Sequence, residues 1–262
     1  MSDPSCETGQ CDIFEFMARH VGLTVIHPGG LAATSRLAEA CGLREGHRVL
    51  DLGCGKGTTA IYLARKYGCD VTGVDLSEEL VAQGVELARR ARVSHRTRFQ
   101  VADAHSLPFP DGEFDAVVSQ AVLVLVKDKL QVIREALRVA KPGGRVGWLE
   151  LSWQRAPSPD FLRSVSDVLC AYCMQNVETF QDWQSRFREA GLAELSASLF
   201  PLPVGSFHAM LRDEGPRNAL GVMLRTLLSG PIRARTQRMS QFFREHADLF
   251  GYGIYVGRKP GL

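Results

Sequence analysis

The chain has 262 residues, of which 45% are hydrophobic and 23% charged, and its formal net charge is +2. This composition is typical of a globular domain and excludes disordered, collagen-like and coiled-coil chains. Because the net charge is small, the molecule as a whole has no strong attraction to nucleic acid or to membranes. The longest apolar stretch, residues 116–126, is shorter than the ~20 residues that a membrane-spanning helix needs.

The first twelve residues are polar and acidic and lack the basic and apolar regions of a secretory signal. The chain contains seven cysteines, an odd number in a chain too long to depend on disulfides for stability. We therefore expect free thiols and a cytoplasmic location.

The predicted elements begin with an N-terminal helical lid over residues 1–44. Two short helical patterns within residues 13–44 are separated by a turn, His27-Pro28-Gly29-Gly30. Residues 45–152 form the predicted cofactor-binding core, in which short apolar runs alternate with helical patterns. The predicted strands cover residues 49–52, 69–74, 98–101, 114–119 and 145–151. The predicted helices cover residues 58–67, a segment capped by Ser77, and residues 129–139, the last being stopped by Lys141-Pro142-Gly143-Gly144.

The C-terminal half is less regular. Residues 153–192 are predicted to form a cap and a helix at 181–190. Residues 193–262 contain the last two strands, at 193–202 and 249–256, with a helical insertion at 206–248. The whole pattern predicts an α/β fold with a doubly wound, mostly parallel, seven-stranded Rossmann-like sheet and a helical cap.

A glycine-rich loop follows the first predicted strand, with the sequence Asp51-Leu52-Gly53-Cys54-Gly55-Lys56-Gly57. Glycines at this place let the backbone approach a ligand without a Cβ clash. The dinucleotide fingerprint requires a further glycine at position 58, which is Thr58. The loop therefore predicts a ligand other than a dinucleotide.

Acidic residues stand at the ends of three consecutive strands, at Asp51, Asp75 and Asp103. The carboxyl ends of parallel strands meet at one edge of a sheet, so these side chains line one edge. Asp75 can accept hydrogen bonds from both hydroxyls of a ribose, and Asp103 from an adenine amino group. Together they suit a ligand with an ammonium group, a ribose and an adenine, and they do not suit a pyrophosphate.

Residues 45–150 resemble a class I S-adenosylmethionine-dependent methyltransferase. The matching motifs, in order, are residues 49–57, 74–75, 102–104, 114–119 and 137–148. The resemblance implies Asp51 near the methionine ammonium, Asp75 on the ribose, Asp103 at the adenine, and Gln120 under the sulfonium or the acceptor. The cofactor would be S-adenosyl-L-methionine, with S-adenosyl-L-homocysteine as product. The expected cofactor-binding residues are Asp51, Gly53, Cys54, Gly55, Gly57, Asp75, Leu76, Asp103, Ala104 and Gln120.

The segment Ser119-Gln120-Ala121-Val122 narrows the acceptor. Methyltransferases acting on nitrogen in DNA or protein carry Asn/Asp-Pro-Pro-Tyr there, and the cytosine-carbon type uses a Pro-Cys nucleophile that this chain lacks. The arginine cluster at residues 89–98 is interpreted as a solvated face, so nucleic acid is not the expected partner. A small-molecule acceptor is favoured, and the motifs resemble the ubiquinone, sterol, arsenite and phosphoethanolamine branch.

Residues 27–30 are similar to a Ser-Pro-Gly-Gly segment that closes over the cofactor in phosphoethanolamine methyltransferases. His27 and Glu150 are the candidate general bases for a hydroxyl or ammonium acceptor. The alternative is that His27 is a plain turn residue and Glu150 a hydrogen-bonded acid at the end of a strand. The candidate substrate contacts are Phe16, His27, Trp153, Tyr172 and Cys173. No metal site is expected, because Cys170 and Cys173 form a lone pair without the second pair typical of zinc.

The expected reaction is in-line displacement of a methyl group onto a thiol, metalloid, amine or hydroxyl of a small molecule, with the protein supplying position and exclusion of water. Two alternatives stay open: a lipid-modifying enzyme of the cyclopropane type, and a non-catalytic cofactor-binding module. A nicotinamide dehydrogenase is disfavoured by Thr58. The sequence leaves the oligomeric state open.

Overall fold

The computed structural model describes residues 13–169, 171–203 and 207–261, except for the side chains of Asp167 and Tyr172. The N-terminal part contains α1 (Ile13–Glu15), which continues as a π-helical segment (Phe16–Val21), and α2 (Gly30–Ala40). The turn at residues 27–30 lies between them. Gly29 has a φ of +75°, and a Cβ there would lie 2.6 Å from the Ala33 Cβ, so this position requires glycine.

Among the described residues, the sheet has eight strands. They are β1 (Arg48–Leu52), β2 (Asp70–Asp75), β3 (Thr97–Val101), β4 (Phe114–Gln120), β5 (Ala140–Trp153), β6 (Glu178–Thr179), β7 (Ala193–Pro201) and β8 (Phe250–Arg258). Their order is β3-β2-β1-β4-β5-β8-β7, and β6 pairs with the end of β5. Only β8 runs antiparallel to its neighbours β5 and β7. The predicted α/β fold is confirmed, and the two-residue β6 is an addition that no sequence pattern marked.

In the part of the chain that the structure describes, seven further α-helices follow α2. They are α3 (Thr58–Tyr67), α4 (Glu78–Arg90), α5 (Lys129–Val139), α6 (Pro159–Leu169), α7 (Phe180–Glu189), α8 (Phe207–Leu228) and α9 (Gly230–Glu245). Buried side chains of α2, α3 and α4 pack on one face of the sheet. Those of α5 and α7 pack on the other face. Both faces are thus covered, as the apolar strands require.

The segment 141–144 differs from its prediction. It does not end α5 as a free loop, because β5 begins at Ala140, directly after the helix. The register of β4 against β5 shifts between Phe114, which pairs with Ala140, and Ala116, which pairs with Arg145. The surplus residues form a bulge that is held by two hydrogen bonds between the backbones of residues 143–144 and 259.

Helices α8 and α9 form the insertion between β7 and β8. The backbone leaves helical geometry at Gly215, with φ 70° and ψ 163°, just before Pro216. Ser229 separates the two helices, and its side chain accepts a hydrogen bond from the Ile232 N–H at the start of α9. Within the described ranges, no helix combines the length and the apolar character that a membrane crossing needs.

Candidate active site

The glycine loop connects β1 to α3 and folds back onto the end of β2. The backbone N–H groups of Gly53 and Cys54 both donate to the Val74 carbonyl oxygen, at 2.8 and 2.9 Å. Gly55 has a φ of +52°, and a Cβ there would meet no atom within 4 Å. The loop therefore presents open space at Gly55, while Gly57 leads into α3.

Asp75 is anchored at the C-terminal end of β2. Its Oδ2 accepts the Gly55 N–H at 2.9 Å, and its Oδ1 accepts the Ser77 N–H at 3.0 Å. Each carboxylate oxygen has a second lone pair, so the group can still accept hydrogen bonds from a ligand. The next side chain, Leu76, is 68% exposed and offers an uncovered apolar surface beside this carboxylate.

Asp103 lies on the exposed rim after β3. Its Oδ1 accepts hydrogen bonds from the His105 N–H at 2.9 Å and from the His105 ring at 2.7 Å. These hydrogen bonds lower the pKa of the Asp103 carboxyl group below its usual range, and the bond from the backbone N–H contributes most. Ala104 is half-buried beside it. Asp103 thus places a polar group, and Ala104 an apolar one, next to the end of β2.

Asp51 is a buried acid with one unsatisfied oxygen. It is 2% exposed, and its Oδ2 has no hydrogen-bond partner among the described residues. Burial, and then the charge of Asp75, raise the pKa of Asp51 to about 7, while the Ala60 N–H opposes this rise. An unsatisfied buried carboxylate is expensive unless a ligand completes it. A positively charged group at this place would do so.

These observations fit S-adenosylmethionine. Gly55 leaves space for a ligand to approach the backbone. The anchored carboxylate of Asp75 can accept hydrogen bonds from a pair of hydroxyls, and the unsatisfied oxygen of Asp51 can pair with an ammonium group. Asp51 and Asp75 lie at the C-terminal ends of the adjacent strands β1 and β2 and Gly55 follows β1, beside the point between β1 and β4 where the strand order reverses. Ligands of open α/β sheets bind at such a point.

Gln120 links α2 to α3. Its Oε1 accepts the Thr34 hydroxyl at 3.0 Å, and its Nε2 donates to the Thr59 Oγ1 at 2.8 Å. The Thr34 Oγ1 lies 3.3 Å from the His27 Nε2. A continuous polar chain therefore runs from His27 to the first turn of the helix after the glycine loop. Gln120 uses both ends of its amide in this chain.

This chain determines how His27 can titrate. Thr34 gives its proton to Gln120, so its oxygen can accept from the His27 Nε2–H. The other ring nitrogen, Nδ1, then lies 3.4 Å from the Pro28 carbonyl oxygen, which is itself an acceptor. Burial lowers the pKa of His27 to about 4, so the ring is neutral at neutral pH. Nδ1 gains a hydrogen-bond partner only after it takes a proton.

A cavity of about 900 Å³ lies between the lid, β7, β8 and helices α8 and α9. Its lining is mainly apolar and includes Phe14, Met17, Phe200, Met210, Met223, Leu227, Met239 and Phe243. His27, Arg36 and Tyr252 also line it, and the Arg36 guanidinium donates to the Tyr252 hydroxyl at 3.2 Å. The cavity can hold a large apolar molecule with a polar group near His27.

Glu150 does not fit the role of general base. It is fully buried, and its Oε1 accepts the N–H groups of Val122 and Leu123, both at 3.0 Å. These donors belong to the start of the short 3₁₀ helix 123–125, so the carboxyl group caps that helix. Glu150 is also not among the described residues that line the cavity.

Phe16 and Trp153 are core residues instead of substrate contacts. Phe16 is 5% exposed and lies under the Arg235 guanidinium, 4.1 Å from the ring centroid. Trp153 is 2% exposed, and its Nε1 donates to the Val177 carbonyl oxygen at 3.0 Å. On α1, Ile13 and Phe14 line the cavity instead. Phe14 is two residues from Phe16 and therefore lies on another side of the helical segment.

Cys173 is disulfide-bonded, so the expectation of free thiols fails for this residue and it cannot serve as a soft ligand for an acceptor. Cys6, Cys11 and Cys170, as well as the Tyr172 side chain, lie outside the described residues. Cys54 is a free, buried thiol, and burial raises its pKa well above the usual range.

Several site residues had no sequence signal. Thr34, Thr59 and Tyr252 are ordinary residues of helices and a strand, and only the packing of α2 against α3 and β8 brings them to His27. The apolar lining from α8 and α9 was visible as a helical pattern, but no periodicity shows which face meets a cavity.

Comparison with known proteins agrees with this geometry. Residues 50–147 match the family model of a methyltransferase domain. The chain is 34% identical over 232 residues to 27-O-demethylrifamycin SV methyltransferase of Amycolatopsis mediterranei, covering 87% of this chain and 82% of that protein. The solved structure of the cyclase SpnF is similar over 100% of this chain and 98% of its own, with 26% identity and a TM-score of 0.71.

A phosphoethanolamine N-methyltransferase of Haemonchus contortus, solved with S-adenosylhomocysteine, covers 95% of this chain and 57% of its own at 21% identity, with a TM-score of 0.72. That likeness concerns the fold. The chain belongs to the class I S-adenosylmethionine-dependent methyltransferases, in their small-molecule branch. It is a transferase that uses S-adenosylmethionine, which confirms the resemblance drawn from the motifs and rejects a nicotinamide dehydrogenase.

Proposed function

We propose that this enzyme methylates a hydroxyl group of a large, predominantly apolar small molecule bound in the cavity. The observation that carries this proposal is the position of the neutral His27 on the wall of an apolar cavity of about 900 Å³, with its Nδ1 3.4 Å from the Pro28 carbonyl oxygen. A hydroxyl acceptor needs a base, whereas a thiolate or metalloid acceptor does not. The name of the rifamycin relative specifies an oxygen acceptor as well.

When bound, S-adenosylmethionine supplies an activated methyl group whose leaving group is a neutral thioether. Asp75, Asp51 and the loop at Gly55 would hold this cofactor, and Leu76, Asp103 and Ala104 would border its adenine. His27 would accept the hydroxyl proton at Nδ1, and the Pro28 carbonyl would then accept a hydrogen bond from the new N–H. The lid and α8 would exclude water from the reacting atoms.

The proposed base is tested with His27→Asn in an assay with methyl-labelled S-adenosylmethionine and a panel of apolar alcohols, amines and thiols. We expect label in the alcohols and a fall in kcat of about 10²–10⁴ with KM little changed. His20→Asn is the matched control. His20 belongs to the same N-terminal segment but is not among the described residues that line the cavity. Full turnover by His27→Asn with saturating alcohol would reject the base.

The same assay identifies other acceptors. Transfer to amines or thiols that is insensitive to His27→Asn would favour those classes, and label in lipid would favour the cyclopropane-type alternative. A second candidate, cyclisation of the cavity ligand without methyl transfer, is favoured by the likeness to SpnF over the whole chain. It would appear as a product of unchanged mass.

We also propose that nucleic acid is not an acceptor and that the enzyme acts in the cytoplasm. Arg89 and Arg90 both pair with Glu86, at 2.8 and 2.7 Å, which supports the interpretation of this cluster as a solvated face. The free, buried thiols of Cys41 and Cys69 are compatible with a reducing compartment, whereas the disulfide of Cys173 is a feature of oxidising ones. Fractionation of cells expressing the tagged chain tests the location, and a filter-binding assay with RNA and DNA tests the partner.

A further inference from the structure

One face of helix α8 is apolar and uncovered. The inner side of its second half carries Ala219 and Val222, which are 2% and 5% exposed. The opposite side carries Leu220, Leu224, Leu227 and Leu228, which are 56%, 47%, 58% and 83% exposed. A helix that is apolar all round is normally covered on both sides, and four leucines on one exposed face exceed the scattered apolar residues of an ordinary surface. We call these four residues the leucine face.

The surroundings of the leucine face are basic. Residues 215–244 contain six arginines, of which all but the buried Arg235 are exposed, and no aspartate or glutamate. Arg217 lies one turn before Leu220 on the same side of α8, and the Arg233 guanidinium donates to the Leu227 carbonyl oxygen at 2.9 Å. Both arginines are exposed. An occupant of this surface must therefore be apolar in its centre and negatively charged around it.

The leucine face is also continuous with the cavity. Met223 and Leu227 line the cavity and are 37% and 58% exposed. The same helix thus presents leucines to the outside and forms the wall of the apolar binding space.

We propose that the leucine face docks on the surface of an anionic lipid bilayer. A helix with leucines on one face and arginines at its border binds in the interfacial region of such a membrane. A second copy of this chain is disfavoured as the occupant, because two such basic faces would repel each other without an acid to pair them. A protein partner is disfavoured because leucine is under-represented among the residues that dominate protein interfaces.

The test is co-sedimentation of the full chain with vesicles, without acceptor or cofactor. Vesicles of equal parts phosphatidylglycerol and phosphatidylcholine are compared with vesicles of phosphatidylcholine alone. We expect binding to the anionic vesicles only, and a loss of at least tenfold in the triple variant Leu220→Ser, Leu224→Ser, Leu228→Ser. The matched control is Val85→Ser, which changes a 51% exposed side chain on α4 and is expected to leave binding unchanged.

Arg217→Gln is a second variant that does not alter the leucines. Loss of one arginine near an anionic surface should weaken binding about fivefold. The substituted residues Arg217, Leu220, Leu224 and Leu228 are not among the described residues that line the cavity. The variants should therefore methylate a dispersed acceptor at the rate of the unmodified protein. Vesicle binding needs no methyl transfer, so its failure is separate from a failure of the proposed function.

Three results would overturn this proposal. They are absence of binding to anionic vesicles, equal binding by the triple variant whose circular dichroism matches the unmodified chain, and a dimer in solution that the triple variant abolishes. The last result would assign the leucine face to a second copy.

Discussion

Glu150→Gln separates a capping carboxyl group from a catalytic base. Glutamine is nearly isosteric, and its Oε1 can still accept the N–H groups of Val122 and Leu123, so the 3₁₀ helix after β4 should keep its cap. We expect this variant to fold and to retain turnover. A catalytic base replaced by an amide would instead lose about 10²–10⁴ in rate.

The magnitude follows from the titration of the buried carboxyl group. Burial raises the pKa of Glu150 from 4.5 to about 8 against the opposing hydrogen bonds from the backbone. Between these two values the folded state holds a proton that the unfolded state releases. The free energy of unfolding therefore falls as the pH rises through this window. At 1.36 kcal/mol per pKa unit, the full cost above the folded pKa is roughly 3–5 kcal/mol.

The assay is urea denaturation of both proteins at about pH 5 and about pH 9, a window that spans most of this titration. Glutamine does not titrate, so we expect the variant to gain roughly 3–5 kcal/mol relative to the unmodified protein over this range. Comparing the two proteins at each pH cancels the contribution of Asp51, whose raised pKa acts in the same direction. Loss of turnover together with an unchanged pH dependence would refute the reasoning and restore Glu150 as a base.

Three further predictions concern the cofactor, the cavity and the lid. Asp75→Ala should weaken binding of S-adenosylmethionine at least tenfold, because each lost charge-assisted hydrogen bond is worth about 1.5–3 kcal/mol; unchanged affinity in calorimetry would contradict its role. Phe14→Ala should raise the KM of an apolar acceptor about tenfold with kcat unchanged, whereas Trp153→Phe should lower the free energy of unfolding by about 1–3 kcal/mol and leave KM unaffected. Glu214→Ala should make the lid more susceptible to proteolysis, because the Glu214 carboxylate accepts the Thr24 N–H at 2.9 and 3.1 Å; an unchanged cleavage rate would show that other contacts hold the lid.

The core of the fold could be predicted because local patterns and global packing agree there. The predicted bounds of α5, residues 129–139, match the structure, since Asp128 caps the helix and its apolar side chains are spaced for burial. The β5 start could not be predicted. Lys141-Pro142-Gly143-Gly144 reads as a helix stop, and only the pairing with β4 and with Lys259 makes it part of a strand.

The cofactor loop could also be predicted, because its residues are contiguous and its chemistry depends on backbone geometry. The cavity for the acceptor could not be predicted, because its lining depends on the directions of side chains in segments that are far apart in the sequence. Phe14 and Phe16 are both apolar residues of the lid, yet one lines the cavity and the other lies under Arg235. Two residues apart on a helical segment, these side chains point to different sides.

The lid joins the two halves of the site. The Thr58 hydroxyl, at the start of α3, donates to the Thr24 carbonyl oxygen at 3.1 Å. Thr24 is bound on its other side by Glu214 of α8, a helix that also lines the acceptor cavity. A ligand that orders the glycine loop would therefore also hold the lid against α8, and a ligand in the cavity would do the same from the opposite side. Since coupling between two sites is reciprocal, each ligand should bind more tightly in the presence of the other, through the few hydrogen bonds that Thr24 makes.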